Sequence, residues 1–185
     1  MRFSQLPSDL ICALAVAVAL SGSARAEGSV AQTHAGDILR FAIPAATLGA
    51  ELLRGEREGA LQYSEALVVT LAGTEVLKRT THVQRPDKST YDSFPSGHAS
   101  SAFSAATYVH RRYGLETALP LYVLGTYVGY TRVQAHRHRW LDVAGSAAVS
   151  GAASWCLVEP RADRRVLLIP EFGPHGIGVQ IVASW

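Results

Sequence analysis

Cysteine and charged residues are scarce in this chain of 185 residues. The two cysteines are Cys12 and Cys156, and only Cys156 would remain if the first 26 residues were removed as a leader. No disulfide could then form within the mature chain, and the fold would depend on packing alone. Charged residues make up 17% of the chain and form no dense tract, while hydrophobic residues make up 48%, so the composition excludes a disordered protein.

Uncharged stretches as long as a membrane-spanning helix are also missing from the predicted helices. The longest of them, residues 117–131 and 143–158, fall short of the roughly 20 apolar residues that a bilayer crossing requires. Glu65 and Glu75, both in one predicted helix, also disfavour exposure to lipid. We expect a protein that is soluble or lies against a membrane. The alternative is an integral form of six helices, in which the arginines of 54–59 and 111–112 would satisfy the positive-inside rule.

The first 26 residues have the pattern of an export signal. Arg2 gives a weakly basic start, residues 10–20 an apolar centre, and residues 24–26 a small-x-small cleavage site. The apolar centre has the length typical of a signal peptide, and an uncleaved anchor helix is the alternative. We therefore expect export to the periplasm, with attachment to the inner membrane if the segment is retained.

Positive charge is concentrated at two places along a chain whose net charge is only +2. Without residues 1–26 the net charge would be +1, because Arg2, Arg25 and Asp9 would be lost. Seven of the remaining basic residues fall in two short windows: Lys78, Arg79, Arg85 and Lys88, then Arg132, Arg137 and Arg139. This pattern favours a compact anion as the ligand and does not favour nucleic acid.

The spacing of apolar residues predicts a mainly α protein. Helices are expected at about 36–53, 60–78, 96–112, 116–130 and 140–158, the first of them interrupted at Pro44. Near the C-terminus, Gly-Pro-His-Gly lies between two segments rich in Val and Ile, which predicts a small β-hairpin. We expect a helical bundle of about five helices over 27–160, preceded by the signal or anchor helix of 1–26 and followed by a hairpin tail over 161–185.

Three polar segments interrupt the helical pattern: KRTTHVQRP (78–86), FPSGH (94–98) and TRVQAHRHRWLD (131–142). Lysine offers a compact positive charge, and arginine a planar fork that matches two phosphate oxygens. Ser96 adds a hydroxyl, and Gly97 lets the N–H groups at a helix start approach an anion closely. The segments together predict a cage for a phosphoryl group, with these candidate ligands: Lys78, Arg85, Ser96, Gly97 and Arg132.

Only one of the two histidines in the third segment is placed to act as a nucleophile. If the last helix begins near His138, Asp142 lies one turn further on the same face and can orient the ring. His136 is about 240° from Asp142 around a helix and cannot share that geometry. His138 is therefore the predicted nucleophile and Asp142 its orienting partner. His98, at the start of another helix, is placed to donate a proton to the leaving oxygen.

The three segments contain K-x6-RP, PSGH and R-x5-H-x3-D in this order, and they resemble the signature motifs of the type-2 phosphatidic acid phosphatase and vanadium haloperoxidase superfamily. The matching residues are Lys78, Arg85, Pro86, Pro95, Ser96, Gly97, His98, Arg132, His138 and Asp142. Thr131 stands where the family usually has serine, and the hydroxyl is kept. The resemblance implies a helical bundle, a phosphohistidine intermediate on His138, and no metal or other cofactor.

The expected function is that of an exported phosphatase that hydrolyses a phosphate ester or diphosphate, with a phosphorylated lipid or isoprenoid at the membrane surface as substrate. A vanadate-dependent haloperoxidase and a non-catalytic module that binds phospholipid are the alternatives. A zinc site made of His98, His136 and His138 is disfavoured, because the cations around it would repel a divalent metal. Arg137 and Arg139 either contact a polyanionic substrate or form a solvated surface.

Overall fold

The computed structural model describes residues 27–161, 166–173 and 176–183, and it describes side chains over 32–161. Five helices lie in this part of the chain: α1 (Glu27–Leu53), α2 (Arg57–Thr81), α3 (Gly97–Tyr113), α4 (Leu115–Gln134) and α5 (Trp140–Leu157). The predicted mainly α bundle is confirmed. The predicted export signal at 1–26 lies outside the described residues. Within the described residues, no helix combines the length and apolar character that a membrane crossing would require.

Two strands follow the bundle, β1 (Val166–Gly173) and β2 (Gly176–Ala183). They pair antiparallel, with Val166 opposite Ala183 and Gly173 opposite Gly176. The two connecting residues, 174–175, are outside the described residues. The hairpin tail predicted over 161–185 therefore stays a prediction.

Helix α3 is the centre of the bundle, because it packs against each of the other four helices. Its alanines let the neighbouring helices approach closely, and all four of them (Ala99, Ala102, Ala105 and Ala106) are completely buried. Two serines of α5 bind to the start of α3. Ser146 Oγ donates to the carbonyl of Ser96, just before α3, at 2.8 Å, and Ser150 Oγ donates to that of Ser100 at 3.1 Å. These bonds fix the first residues of α3 relative to α5, where the predicted site residues lie.

The predicted interruption at Pro44 is wrong, since α1 runs through this residue. Proline has no N–H, so the carbonyl of Arg40 lacks its usual partner four residues along the helix. Ser101 of α3 supplies the missing donor, with its Oγ 2.6 Å from that carbonyl. Tertiary packing thus satisfies the group that proline leaves free, and the helix continues.

This bond predicts a measurable loss of stability in a Ser101→Ala variant. The variant would leave a partly buried carbonyl without a donor, so we expect a loss of about 1–3 kcal/mol in the free energy of unfolding. Ser64→Ala is the matched control, because the Ser64 hydroxyl donates to the carbonyl of Ala60 within a regular turn of its own helix. Chemical denaturation of both variants checks the prediction, and equal losses would contradict it.

Two loops bring the ends of four helices together. Residues 82–96 join α2 to α3, and residues 135–139 join α4 to α5. The backbone N–H of Asp87 donates to the carbonyl of His136 at 3.1 Å, and that of Ser96 donates to the carbonyl of Asp142 at 3.2 Å. The three polar segments therefore lie at one end of the bundle, beside the middle of α1.

Candidate active site

The polar segments surround one cavity of about 420 Å³. Six of the eight predicted site residues line it: Lys78, Arg85, Gly97, His98, Arg132 and His138. The other two, Ser96 and Asp142, are buried and do not line it. Ser96 is the N-cap of α3, and its hydroxyl accepts from the N–H of Ala99 at 3.5 Å. Its direct contact with a phosphate stays a prediction.

The ring of His138 is buried, 4% exposed, and is held through Nδ1. Nδ1 lies 2.8 Å from the carbonyl oxygen of Ser93 and 3.5 Å from Oδ2 of Asp142. Because a carbonyl can only accept, Nδ1 carries the hydrogen and the lone pair is on Nε2. Nε2 is therefore the atom that can attack an electrophile.

Helix α5 begins at Trp140, as the apolar spacing predicts, two residues after His138. The helix starts there because the carboxylate of Asp142 caps it, with Oδ2 accepting from the backbone N–H of Arg139 at 2.7 Å. The same oxygen accepts from Ser93 Oγ at 2.6 Å. Asp142 thus fixes the helix start and Ser93 together, and Ser93 in turn holds the ring of His138.

Asp142 is charged at neutral pH. Burial raises its pKa, but the hydrogen bonds from His138, Ser93 and the Arg139 backbone outweigh burial and bring the pKa below its usual value. A carboxylate beside Nδ1 stabilises the positive charge that the His138 ring acquires when Nε2 forms a bond.

Helix α1 adds two charged residues that the sequence reasoning missed. Asp37 Oδ1 lies 2.8 Å from Nε2 of His98 and 3.0 Å from Nη1 of Arg132. Arg40 lines the cavity, and its Nη1 lies 3.3–3.4 Å from the two ring nitrogens of His98. The sequence does contain a signal for these two residues, namely two opposite charges three residues apart in a helix that is otherwise largely apolar.

The ring of His98 is neutral at pH 7 in the absence of substrate. Burial and the charge of Arg132 lower its pKa to about 4, and Arg40 adds to the effect while Asp37 opposes it. A phosphoryl group would bring negative charge into this cluster of cations and would favour the protonated ring. His98 can therefore gain a proton when substrate arrives.

The low pKa of His98 predicts that the fold loses stability as the pH falls from 6.5 to 4. In this range the unfolded chain binds a proton at His98 that the folded protein does not bind, so the free energy of unfolding falls with falling pH. We expect a loss of about 1–3 kcal/mol, measured by chemical denaturation at several pH values. His98→Asn should flatten this dependence, and an unchanged slope in the variant would contradict the prediction.

Asp92 holds the two cations of the first segment. Its Oδ2 accepts from Arg85 Nη2 at 3.0 Å, and its backbone carbonyl accepts from Lys78 Nζ at 3.1 Å. Burial lowers the pKa of Lys78, and the charge of Asp92 counteracts this shift. Among the described residues, the buried Nε of Arg85 has no hydrogen-bond partner, and a phosphate oxygen is an acceptor of the kind it lacks.

The two arginines beside His138 differ in position. Arg137 lines the cavity, and its Nη1 lies 3.2 Å from Oδ2 of Asp87. Arg139 does not line the cavity, and it donates to the backbone carbonyl of Gln84 at 3.1 Å. His136 is exposed in a left-handed turn, with φ of 53°. Over the described part of the chain, no three His, Cys, Asp or Glu side chains are grouped closely enough to hold a metal ion.

The fold and the site define a phosphatase of the helical-bundle class, and the family model agrees. The chain belongs to the PAP2 superfamily, whose model matches residues 59–165. It is a hydrolase of the phosphatase type, as the sequence predicts. Helix α1 precedes the matched residues, so Asp37 and Arg40 lie outside them.

Two curated relatives and one solved structure are similar to the chain. The lipid A 4'-phosphatase of Helicobacter pylori (strain J99) is 29% identical over 175 residues, which are 86% of this chain and 88% of the relative. The lipid A 1-phosphatase of Porphyromonas gingivalis (strain ATCC 33277) is 34% identical over 101 residues, 52% of this chain and 23% of the relative. The crystal structure of Aquifex aeolicus LpxE aligns with a TM-score of 0.61 at 20% identity, over 79% of this chain and 93% of that one, which supports the fold.

Proposed function

We propose that the protein hydrolyses the phosphate ester of a lipid at a membrane surface through a phosphohistidine formed on His138. The supporting observation is the buried ring of His138, fixed through Nδ1, beside a cavity that Lys78, Arg85 and Arg132 line. The similarity to two lipid A phosphatases makes a phosphorylated glycolipid the first substrate to test.

In the first step, Nε2 of His138 attacks phosphorus and the bond to the lipid oxygen breaks. The positive side chains, together with the N–H groups at the start of α3, stabilise the charge on the phosphoryl oxygens in the transition state. Protonated His98 gives its proton to the leaving oxygen, and the lipid alcohol departs.

In the second step, water replaces the lipid alcohol. His98, now neutral, accepts a proton from the water as the water oxygen attacks phosphorus. The bond between phosphorus and His138 breaks, and inorganic phosphate leaves. The ring of His138 returns to its neutral form with hydrogen on Nδ1, and His98 carries the proton taken from the water until the phosphate has left.

Location and domain division are part of the same proposal. Residues 1–26 direct export to the periplasm, residues 27–160 form the catalytic unit, and residues 161–185 form a separate tail. A lipid substrate in the outer leaflet of the inner membrane would then reach the cavity from the membrane surface. Fractionation of cells that produce the full chain tests the location, and recovery in the cytoplasm would contradict it.

The decisive experiment is a turnover screen with the purified chain. Phosphate release is measured from lipid A, phosphatidic acid, phosphatidylglycerol phosphate, an isoprenoid diphosphate and a soluble phosphomonoester, each with and without a chelator. We expect turnover of at least one lipid, unchanged by the chelator. Oxidation of halide by peroxide with added vanadate would favour a haloperoxidase, and phosphate binding without turnover would favour a binding module.

A further inference from the structure

Helix α1 extends the candidate site beyond the three motifs. Oδ1 of Asp37 contacts both the ring of His98 on α3 and the guanidinium of Arg132 on α4. We infer that Asp37 is a positioning residue of the phosphatase, one that holds His98 for proton transfer and occupies Arg132 until a phosphoryl group replaces it. The inference rests on the proposed function and names a residue outside the family match.

The first part of the inference concerns the ring of His98. A carboxylate can only accept, so its contact at 2.8 Å places a hydrogen on Nε2 and fixes the ring plane. The other groups that contact the ring are both cations, Arg40 of α1 and Arg132 of α4. Among the described residues, Asp37 supplies the carboxylate that contacts this ring. Its negative charge favours the protonated ring that acid catalysis needs.

Other charged groups that line the cavity lie farther from the His98 ring than Asp37, Arg40 and Arg132 do. They are Glu75 and Lys78 of α2, together with Arg85 and Arg137 from the two loops. Most of them are cations and oppose protonation of His98. Loss of Asp37 would therefore leave the ring with positive neighbours and no carboxylate in contact.

The second part concerns Arg132. Its side chain is 7% exposed, whereas that of Asp37 is 46% exposed, so the carboxylate lies closer to solvent than the buried guanidinium that it contacts. The Nη2 atom of Arg132 donates to the backbone carbonyl of Thr33 at 2.8 Å, which anchors the guanidinium on its other side. A phosphate oxygen can take the place of the Asp37 oxygen without disturbing that anchor. Asp37 thus competes with the anion that Arg132 is proposed to bind.

An Asp37→Asn variant is expected to lose turnover but to bind anions more tightly, so it tests both parts of the inference. The amide keeps the shape of the side chain but removes the negative charge. We expect kcat on the lipid phosphate to fall about tenfold or more, because His98 is less often protonated. Orthovanadate and inorganic phosphate should inhibit about two- to fivefold more tightly, because a competing charge is gone. The alkaline limb of the kcat profile should move to lower pH.

Controls separate a positioning role from a structural one. Glu58→Gln makes the same chemical change on an exposed residue of α2, whose carboxylate accepts from Gln62, and it should leave kcat and inhibition unchanged. Asp37→Glu should recover part of the lost kcat. A variant whose kcat and anion affinity both fall, along with its melting temperature, would overturn the inference in favour of a structural ion pair.

The role of Asp37 can still be tested if the proposed substrate class is wrong. If the wild type releases phosphate from no lipid, the proposed function fails, and anion binding and the NMR titration of the His98 ring still report on Asp37. Tighter vanadate binding and a lowered His98 pKa in Asp37→Asn would then support the inference. If the wild type is active and the variant keeps its kcat, pH profile and anion affinity, the inference alone fails.

Discussion

Replacing His138 with alanine is expected to reduce phosphatase turnover by about a thousandfold or more, whereas His136→Ala should stay within about twofold of wild type. The His138 ring is buried against the cavity, and its Nδ1 is fixed by the carbonyl of Ser93. The His136 ring is exposed on the connecting turn and does not line the cavity. Phosphate release from the lipid identified by the screen provides the measurement.

The covalent intermediate gives this prediction a second readout. Wild type quenched during turnover should gain the mass of one phosphoryl group, and the His138 variant should not. His136→Ala serves as the matched control, since it removes the same ring two residues away. Turnover that survives the loss of His138 but not that of His136 would refute the nucleophile assignment.

The motif residues of the site could be predicted because their chemistry is local. Proline, glycine and clustered cations mark the three segments, and each segment joins helices that are themselves evident from apolar spacing. The cavity then gathers six of the eight predicted residues. Asp37 and Ser93 could not be predicted in the same way, because their partners lie 61 and 49 positions away in the chain. Only the packing of α1 and of the loop before α3 gives them a role.

The unbroken course of α1 and the start of α5 have physical causes of the same kind. Pro44 does not end α1, because a serine from another helix donates to the carbonyl that proline leaves free. Helix α5 starts two residues after His138, because the Asp142 carboxylate caps the N–H of Arg139. The expected proximity of His138 to Asp142 is nevertheless seen, at 3.5 Å, through a capping turn and not through a continuous helix.

Removal of the His98 ring should affect substrates according to their leaving groups. An alkyl or sugar alkoxide needs a proton as it departs, so His98→Ala should lower turnover of the lipid phosphate by about a hundred- to a thousandfold. Nitrophenolate leaves without a proton, so formation of the phosphoenzyme from p-nitrophenyl phosphate should be slowed by about tenfold or less. The ratio of the two effects measures acid catalysis and is insensitive to a general loss of folded protein.

The same variant should also reveal the second role of His98, as the base that activates water. With p-nitrophenyl phosphate, phosphoenzyme formation would outpace its hydrolysis, so nitrophenol should appear in a burst followed by a slow phase. His82→Asn is a suitable control, because His82 is exposed in a left-handed conformation that asparagine tolerates. Equal losses on both substrates without a burst would mean that His98 binds the phosphoryl group and transfers no proton. The His98 ring and its neighbour Arg132 would then form an anion site, with the acid to be found elsewhere in the cavity.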